Sequence, residues 1–363
     1  MASPRPRSGI LEIQPYVGGK ASAEGADSTI KLSANESAIG PSPQAIKAIQ
    51  QALGDSHRYP DGGSDRLKAA ISKRFSLDID RVICGSGSDE LIHLLTLAYA
   101  GPGDEVLYSA HGFLMYRLSA LGTGAQPIAA PERNLRTDVD ALLDAVSSRT
   151  RLVYIANPNN PTGSYITADE LSRLHRGLPD DIILAIDAAY AEYVHTPDYT
   201  NGLELIDQAD NVVMLRTFSK LFALGGLRLG WLYGPPTIID VLNRVRGPFN
   251  VNSLAQAAGI AALEDLEHQE RSVAHNDHWL PRMTQAIAGL GLTVHPSVAN
   301  FLLVGFPETG EKTAVMASDF LEKDGIVARP MAAYGLPNCL RLSIGKEDEN
   351  KAVIESLERF LES

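Results

Sequence analysis

The chain has 363 residues, 44% of them hydrophobic and 21% charged, which is too much for one small core and suits two domains or one large α/β domain with an appendage. Its 32 basic and 44 acidic side chains give a net charge of −12, and the few arginines near the start are too sparse for a nucleic-acid arm, so nucleic acids and anionic membranes are poor partners. Two distant cysteines, Cys84 and Cys339, make neither a disulfide framework nor a cysteine zinc site, and no apolar leader or run of about 18 apolar residues occurs; a soluble protein of a reducing cytoplasm is expected.

Residues 1–45 are rich in Gly, Pro and Ser and are expected to form an arm that packs on the small domain or a partner subunit. "SPQAIKAIQQAL" then opens a helix with Ser42 as cap and Pro43 at its first position. From about residue 80 to 235, short β-branched runs alternate with helical periodicity: "RVICG", "DEVLYS", "RLVYIAN", "DIILAID", "NVVMLRT" and "GWLYG". Continuous apolar runs are what strands buried on both faces look like, so a mostly parallel sheet covered by helices is predicted. Among the helices, "SDELIHLLTLAYAG" carries Asp89 and Glu90 in its first turn, and "TADELSRLHRGL" offers Thr167 and Glu170 as a capping box. After about residue 265 the order becomes strand, strand, helix, strand ("GIVARP"), strand ("CLRLSIG"), helix, the pattern of a smaller α+β domain. The expected division is an arm at 1–45, a large domain at 46–265 and a small domain at 266–363.

Parallel sheets bind ligands beyond the carboxyl ends of their strands, and four such ends are unusual here. "GSGSDE", Gly85 to Glu90, runs into a helix whose free amides can hold a phosphate; it has neither P-loop nor GxGxxG spacing, and alone it also reads as a tight turn. "NPNNPTG" offers the Asn160 amide as a donor from a loop stiffened by two prolines, and it too reads alone as a structural turn. Asp187 ends a wholly apolar strand with no local cation, so a distant Arg or Lys or a ligand must compensate it. After "NVVMLR" come Thr217, Ser219 and Lys220, then Arg228: an anion site beside a lysine which, partly desolvated, is a good Schiff-base former. A phosphate cup, an amide donor, a carboxylate wanting a cation and a reactive amine together meet the needs of pyridoxal phosphate.

"GSGSDE", "NPNNPTG", "IDAAY" and "TFSKLFALGGLRLGW", in this order, resemble the fold-type-I pyridoxal-phosphate aminotransferases, over essentially the whole chain. Within that family, "LSANES", "HRYPDG" and "CLRLSIG" look most like the histidinol-phosphate aminotransferases. The resemblance implies that Lys220 holds the cofactor and shuttles the substrate Cα proton, and that Asp187 pairs with the ring nitrogen. It implies that Asn160 and Tyr190 bond the phenolic oxygen, and that Ser88, Asp89 through its backbone, Thr217, Ser219 and Arg228 surround the phosphate, with Tyr59 arriving from the second subunit of a homodimer. Arg341, Arg329, Tyr16 and Asn35 are the matching substrate positions; independently, strand alternation puts Leu340, Leu342 and Ile344 on one face and Arg341 on the other.

Two departures bear on substrate range. The usual Asp-Glu-Ala-Tyr is Asp187-Ala188-Ala189-Tyr190, and the tyrosine that stacks on the cofactor aligns with Phe113, which stacks without a hydroxyl to donate. The reaction expected is transfer of an amine from a small-molecule donor to a keto acceptor in histidine biosynthesis. An aromatic amino-acid transaminase and a phospho-amino-acid decarboxylase on the same scaffold are the alternatives. The nine histidines show no metal-ligand spacing, so no metal is expected.

Overall fold

The computed structural model describes residues 6–7, 9–15, 18–20, 22–23 and 28–363. At its centre is a seven-stranded sheet in the order Val82–Gly85, Gly230–Tyr233, Val212–Thr217, Ile183–Asp187, Thr150–Ala156, Glu105–Ser109, Gln126–Ala130. The strands run parallel except Gly230–Tyr233, which lies antiparallel between its two neighbours.

The continuous apolar runs have their cause in the two cores they serve. Along one strand Leu152 and Tyr154 enter the core on one face of the sheet, while Val153 and Ile155 enter the core on the other. Ile183 and Ala185 against Leu184 and Ile186 divide in the same way. Each such aliphatic side chain, fully buried, contributes about 1.5–3 kcal/mol.

Helices fill the connections and cover both faces. Ser42 Oγ accepts from Gln44 N at 3.0 Å and begins helix Pro43–Ala52. Thr167 and Glu170 form the capping box of helix Ala168–Gly177, each side chain accepting from the other's backbone amide, at 3.2 and 2.8 Å. Helix Ser88–Tyr99 follows Val82–Gly85 through Gly87, whose φ of 82° favours glycine.

A four-stranded antiparallel sheet, ordered Thr293–His295, Phe301–Gly305, Leu336–Ser343, Arg329–Met331, forms the smaller part. Its core gathers Leu302, Val304, Leu340 and Leu342 beneath helices Ala314–Lys323 and Glu347–Glu362, with Met283 and Ile287 from helix Leu266–Gly289. The fold class is the predicted one, with corrections of detail. "GIVARP" is two strands: Ile326–Val327 pairs in parallel with Ile30–Lys31 of the arm, while Arg329–Met331 joins the four-stranded sheet. Gln126–Ala130 is a further strand; as a partly exposed edge it tolerates Pro127 and lacks an apolar run. Among the described residues no helix is long and apolar enough to cross a membrane.

Candidate active site

Because the parallel strands share a direction, their carboxyl ends open on one side, and the antiparallel Gly230–Tyr233 starts there. The segments beyond those ends line one cleft of roughly 900 Å³ including its mouth, the size of a small-molecule site. Arg329, Tyr334 and Arg341 face it from the small sheet, and Asn35 from the arm. Thirteen of the fifteen residues singled out from sequence line this cleft. Tyr59 does not: it is 83% exposed and stacks on Phe249 with ring centroids 4.7 Å apart. Tyr16 lies outside the described residues.

Lys220 Nζ donates to the Ala34 carbonyl at 3.0 Å. Burial, and then the Arg341 guanidinium, pull its pKa down to about 8, which eases loss of its proton. Asp187 is 4% exposed; Oδ2 accepts from the Tyr116 hydroxyl at 2.8 Å, and buried Oδ1 has no hydrogen-bond partner among the described residues. Burial raises the Asp187 pKa to about 6, against the pull of the Tyr116 hydrogen bond. A carboxylate in this state accepts a cationic N–H donor with little further cost.

The anion corner forms where Ser88 and Asp89 open their helix beside Thr217, Ser219 and Arg228. Ser219 N donates to Thr217 Oγ1 at 3.1 Å, which ties the start of the lysine loop to its strand. Arg228, with φ 55°, donates to the Asp89 carboxylate at 2.9 Å, so Asp89 contributes a side chain as well as a backbone amide. Gly230 is required by contact: a Cβ there would sit 2.4 Å from Ser88 N. Free amides at a helix start, two hydroxyls and a guanidinium suit a phosphate.

On the opposite wall Arg341 is buried, donating from Nη1 to Asn160 Oδ1 and from Nη2 to the Ser33 carbonyl at 2.8 Å. The first bond fixes the Asn160 amide with its NH₂ turned to the remaining space. Arg329 stands opposite Arg341 in the sheet register. Asn35, with φ 55°, donates from Nδ2 to Tyr190 Oη at 2.9 Å. Phe113 precedes helix Leu114–Thr123 and meets Tyr116 edge-on at 6.0 Å.

Two residues of the site escaped the sequence reading. Tyr116 holds Asp187, and its signal was the three-residue helical step from Phe113. Tyr334, in the short helix Ala332–Tyr334 between two small-sheet strands, lines the cleft without any motif. Among the described residues no group of three or more His, Cys, Asp or Glu could hold a metal ion.

Comparison with known proteins agrees with this geometry. The model of "Aminotransferase class I and II" matches residues 27–357. Histidinol-phosphate aminotransferase of Rhodospirillum centenum is 58% identical over 99% of both chains, and that of Paramagnetospirillum magneticum 54% over the same shares. A crystal structure of histidinol-phosphate aminotransferase from Sinorhizobium meliloti in complex with pyridoxal-5'-phosphate superposes with a TM-score of 0.90, at 29% identity, covering 97% of this chain and 96% of that one. The chain belongs to the class I and II aminotransferase family.

Proposed function

We infer that the protein is a pyridoxal-phosphate-dependent histidinol-phosphate aminotransferase. It carries the amine of histidinol phosphate to 2-oxoglutarate, giving imidazole-acetol phosphate and glutamate. The observation that carries the chemistry is a lysine with a lowered pKa sharing one cleft with a buried carboxylate whose Oδ1 lacks a hydrogen-bond partner among the described residues. The names of full-length relatives support the substrate.

The residues fit the cofactor: Asp187 Oδ1 asks for a cationic donor, the Ser88 helix start with Arg228 asks for an anion, and Lys220 is an amine near neutrality. When bound, pyridoxal phosphate supplies a carbonyl that condenses with amines and a cationic ring that takes up the electron pair left when Cα loses its proton. Asp187 would hold the ring nitrogen with its negative charge. Lys220 Nζ would hold the cofactor through its amine and would serve as the base that moves the substrate Cα proton. Asn160 and Tyr190 would bond the phenolic oxygen, and Phe113 would offer an apolar face. Arg329 and Arg341, with Asn35 and Tyr16, receive the anionic group of either substrate, a phosphate in one half-reaction and a carboxylate in the other.

Tyr59, exposed and apart from its own cleft, completes the phosphate corner of a second copy, which makes the working form a homodimer. Two free, buried cysteines fit a cytoplasmic setting. Half-reactions followed by the absorbance of the bound cofactor test the substrate: histidinol phosphate and glutamate are expected to convert it efficiently. If histidinol phosphate does no better than phenylalanine or tyrosine, the biosynthetic assignment falls while the aminotransferase stands. Sedimentation as a monomer would remove the dimer.

A further inference from the structure

Helix Leu114–Thr123 places Tyr116 one turn beyond the cleft-lining Phe113, fully buried, with its hydroxyl donating to Asp187 Oδ2 at 2.8 Å. The ring lies flat on Tyr154, centroids 4.6 Å apart and planes 3° from parallel. Tyr154 is itself pinned, donating to the Ile92 carbonyl at 3.0 Å and meeting Thr96 Oγ1 at 2.9 Å. A phenol wedged between a stacked neighbour and a packed core has no second rotamer to adopt. One oxygen of Asp187 is therefore committed, and the other, without a hydrogen-bond partner among the described residues, belongs to a side chain that lines the cleft.

We propose that Tyr116 is a positioning residue that makes Asp187 a one-sided acceptor, its phenol holding Oδ2 so that Oδ1 alone is presented to the ring nitrogen of pyridoxal phosphate. This rests on the cofactor reading above and extends it to a residue outside the cleft lining.

An apolar surround drives a carboxylate toward its protonated form, and a donor fixed on one oxygen resists that and stops the group turning. The charged and titratable groups facing Asp187 are Asp89 at the start of its helix, Lys220 beyond the neighbouring strand, and the phenols of Tyr116, Tyr154, Tyr190 and Tyr199. Asp89 opposes ionisation, while the Ala189 backbone N–H and then Lys220 favour it. Tyr116 alone among these phenols forms a hydrogen bond to the Asp187 side chain among the described residues. Burial, and then the Asp187 charge, push the Tyr116 phenol well above its ordinary pKa, so it remains a donor throughout the working range.

Tyr116→Phe keeps the stack and removes one oxygen. In the purified full-length protein the dissociation constant for pyridoxal phosphate, measured by equilibrium dialysis, is expected to rise about 10- to 100-fold, the range for a lost hydrogen bond to a charged group. In the cofactor-free protein, infrared difference spectra referenced to Asp187→Asn are expected to show the carboxyl titrating at higher pH. Tyr108→Phe removes a phenol from the same aromatic cluster, 6.3 Å from Tyr116, and should leave both readouts within about twofold of wild type. A ring-fluorinated tyrosine at position 116 is a stronger donor and should move the titration to lower pH, which keeps the test open if the phenylalanine variant misfolds. Unchanged cofactor affinity and carboxyl titration in Tyr116→Phe would overturn the proposal; wild-type protein that binds no pyridoxal phosphate would overturn the cofactor reading instead.

Discussion

The two walls of the cleft are built on different rules. The wall of the large sheet takes its groups from segments that follow parallel strands, so chain direction alone delivers Ser88, Asn160, Asp187 and Lys220 to one place. The wall of the small sheet takes Arg341 from within Leu336–Ser343 and Arg329 from the strand beside it, so register delivers them. A slip of one residue would exchange Arg341 for Leu340 or Leu342 and turn the guanidinium into the core. On the proposed function the first wall carries the chemistry, and the second, with Asn35 from the arm, receives the anion.

Substitutions can break that division. Lys220→Ala should cost activity most, roughly 10³- to 10⁴-fold in kcat, since on the proposed function base and nucleophile go together; single-turnover half-reactions measure it. Asp187→Asn should lower kcat about a hundredfold and weaken cofactor binding, seen by dialysis. Arg341→Gln is expected to raise KM for anionic substrates about 10- to 100-fold while cofactor affinity stays near wild type; loss of the cofactor instead would show that the walls are not separate. Gly230→Ala forces a Cβ against Ser88 N and should cost about 1–3 kcal/mol, read as a lower Tm and weaker cofactor binding.

The smallest effect is in the pH dependence of the cofactor-free protein. Lys220 has a folded pKa of about 8, below its ordinary 10.5, so its stabilising contribution is complete above 10.5 and is lost as pH falls through about 8. Relative to Lys220→Met, wild-type Tm should therefore rise between pH 8 and 10.5, by differential scanning fluorimetry. Asp187 has the opposite sense: raised to about 6 from 3.8, its contribution is present below the ordinary value and fades as pH climbs through 6. Asp187→Asn should flatten that decline.

The large sheet was legible because strands buried on both faces leave uninterrupted apolar runs, and a polar residue ending such a run is conspicuous. Asp187 after "IILAI" and Lys220 after "NVVMLRTFS" were visible for that reason. Chain direction was less visible: "GWLYG" reads like its neighbours although it runs antiparallel, because burial leaves the same pattern in either sense. Arg341 was placed on the correct face by alternation, but its partners, Asn160 and the Ser33 carbonyl, come from far along the chain. Tyr116 was hidden because an aromatic on a buried helix face reads as packing, and its bond to Asp187 crosses 71 residues.

The short ladder joining Ile30–Lys31 to Ile326–Val327 also fixes the order in which the site can be assembled during synthesis. Strands from Val82 to Tyr233 can pair while the rest of the chain is still being made. The arm's partner strand, Arg329 and Arg341 all come near the end of translation. The nascent large sheet therefore holds Lys220 and Asp187 beside an open wall, and the carbonyls of Ser33 and Ala34 reach Arg341 and Lys220 only when the last strands arrive. A chain released short of residue 326 would keep Lys220 and lack Arg329 and Arg341, the two cations of the opposite wall.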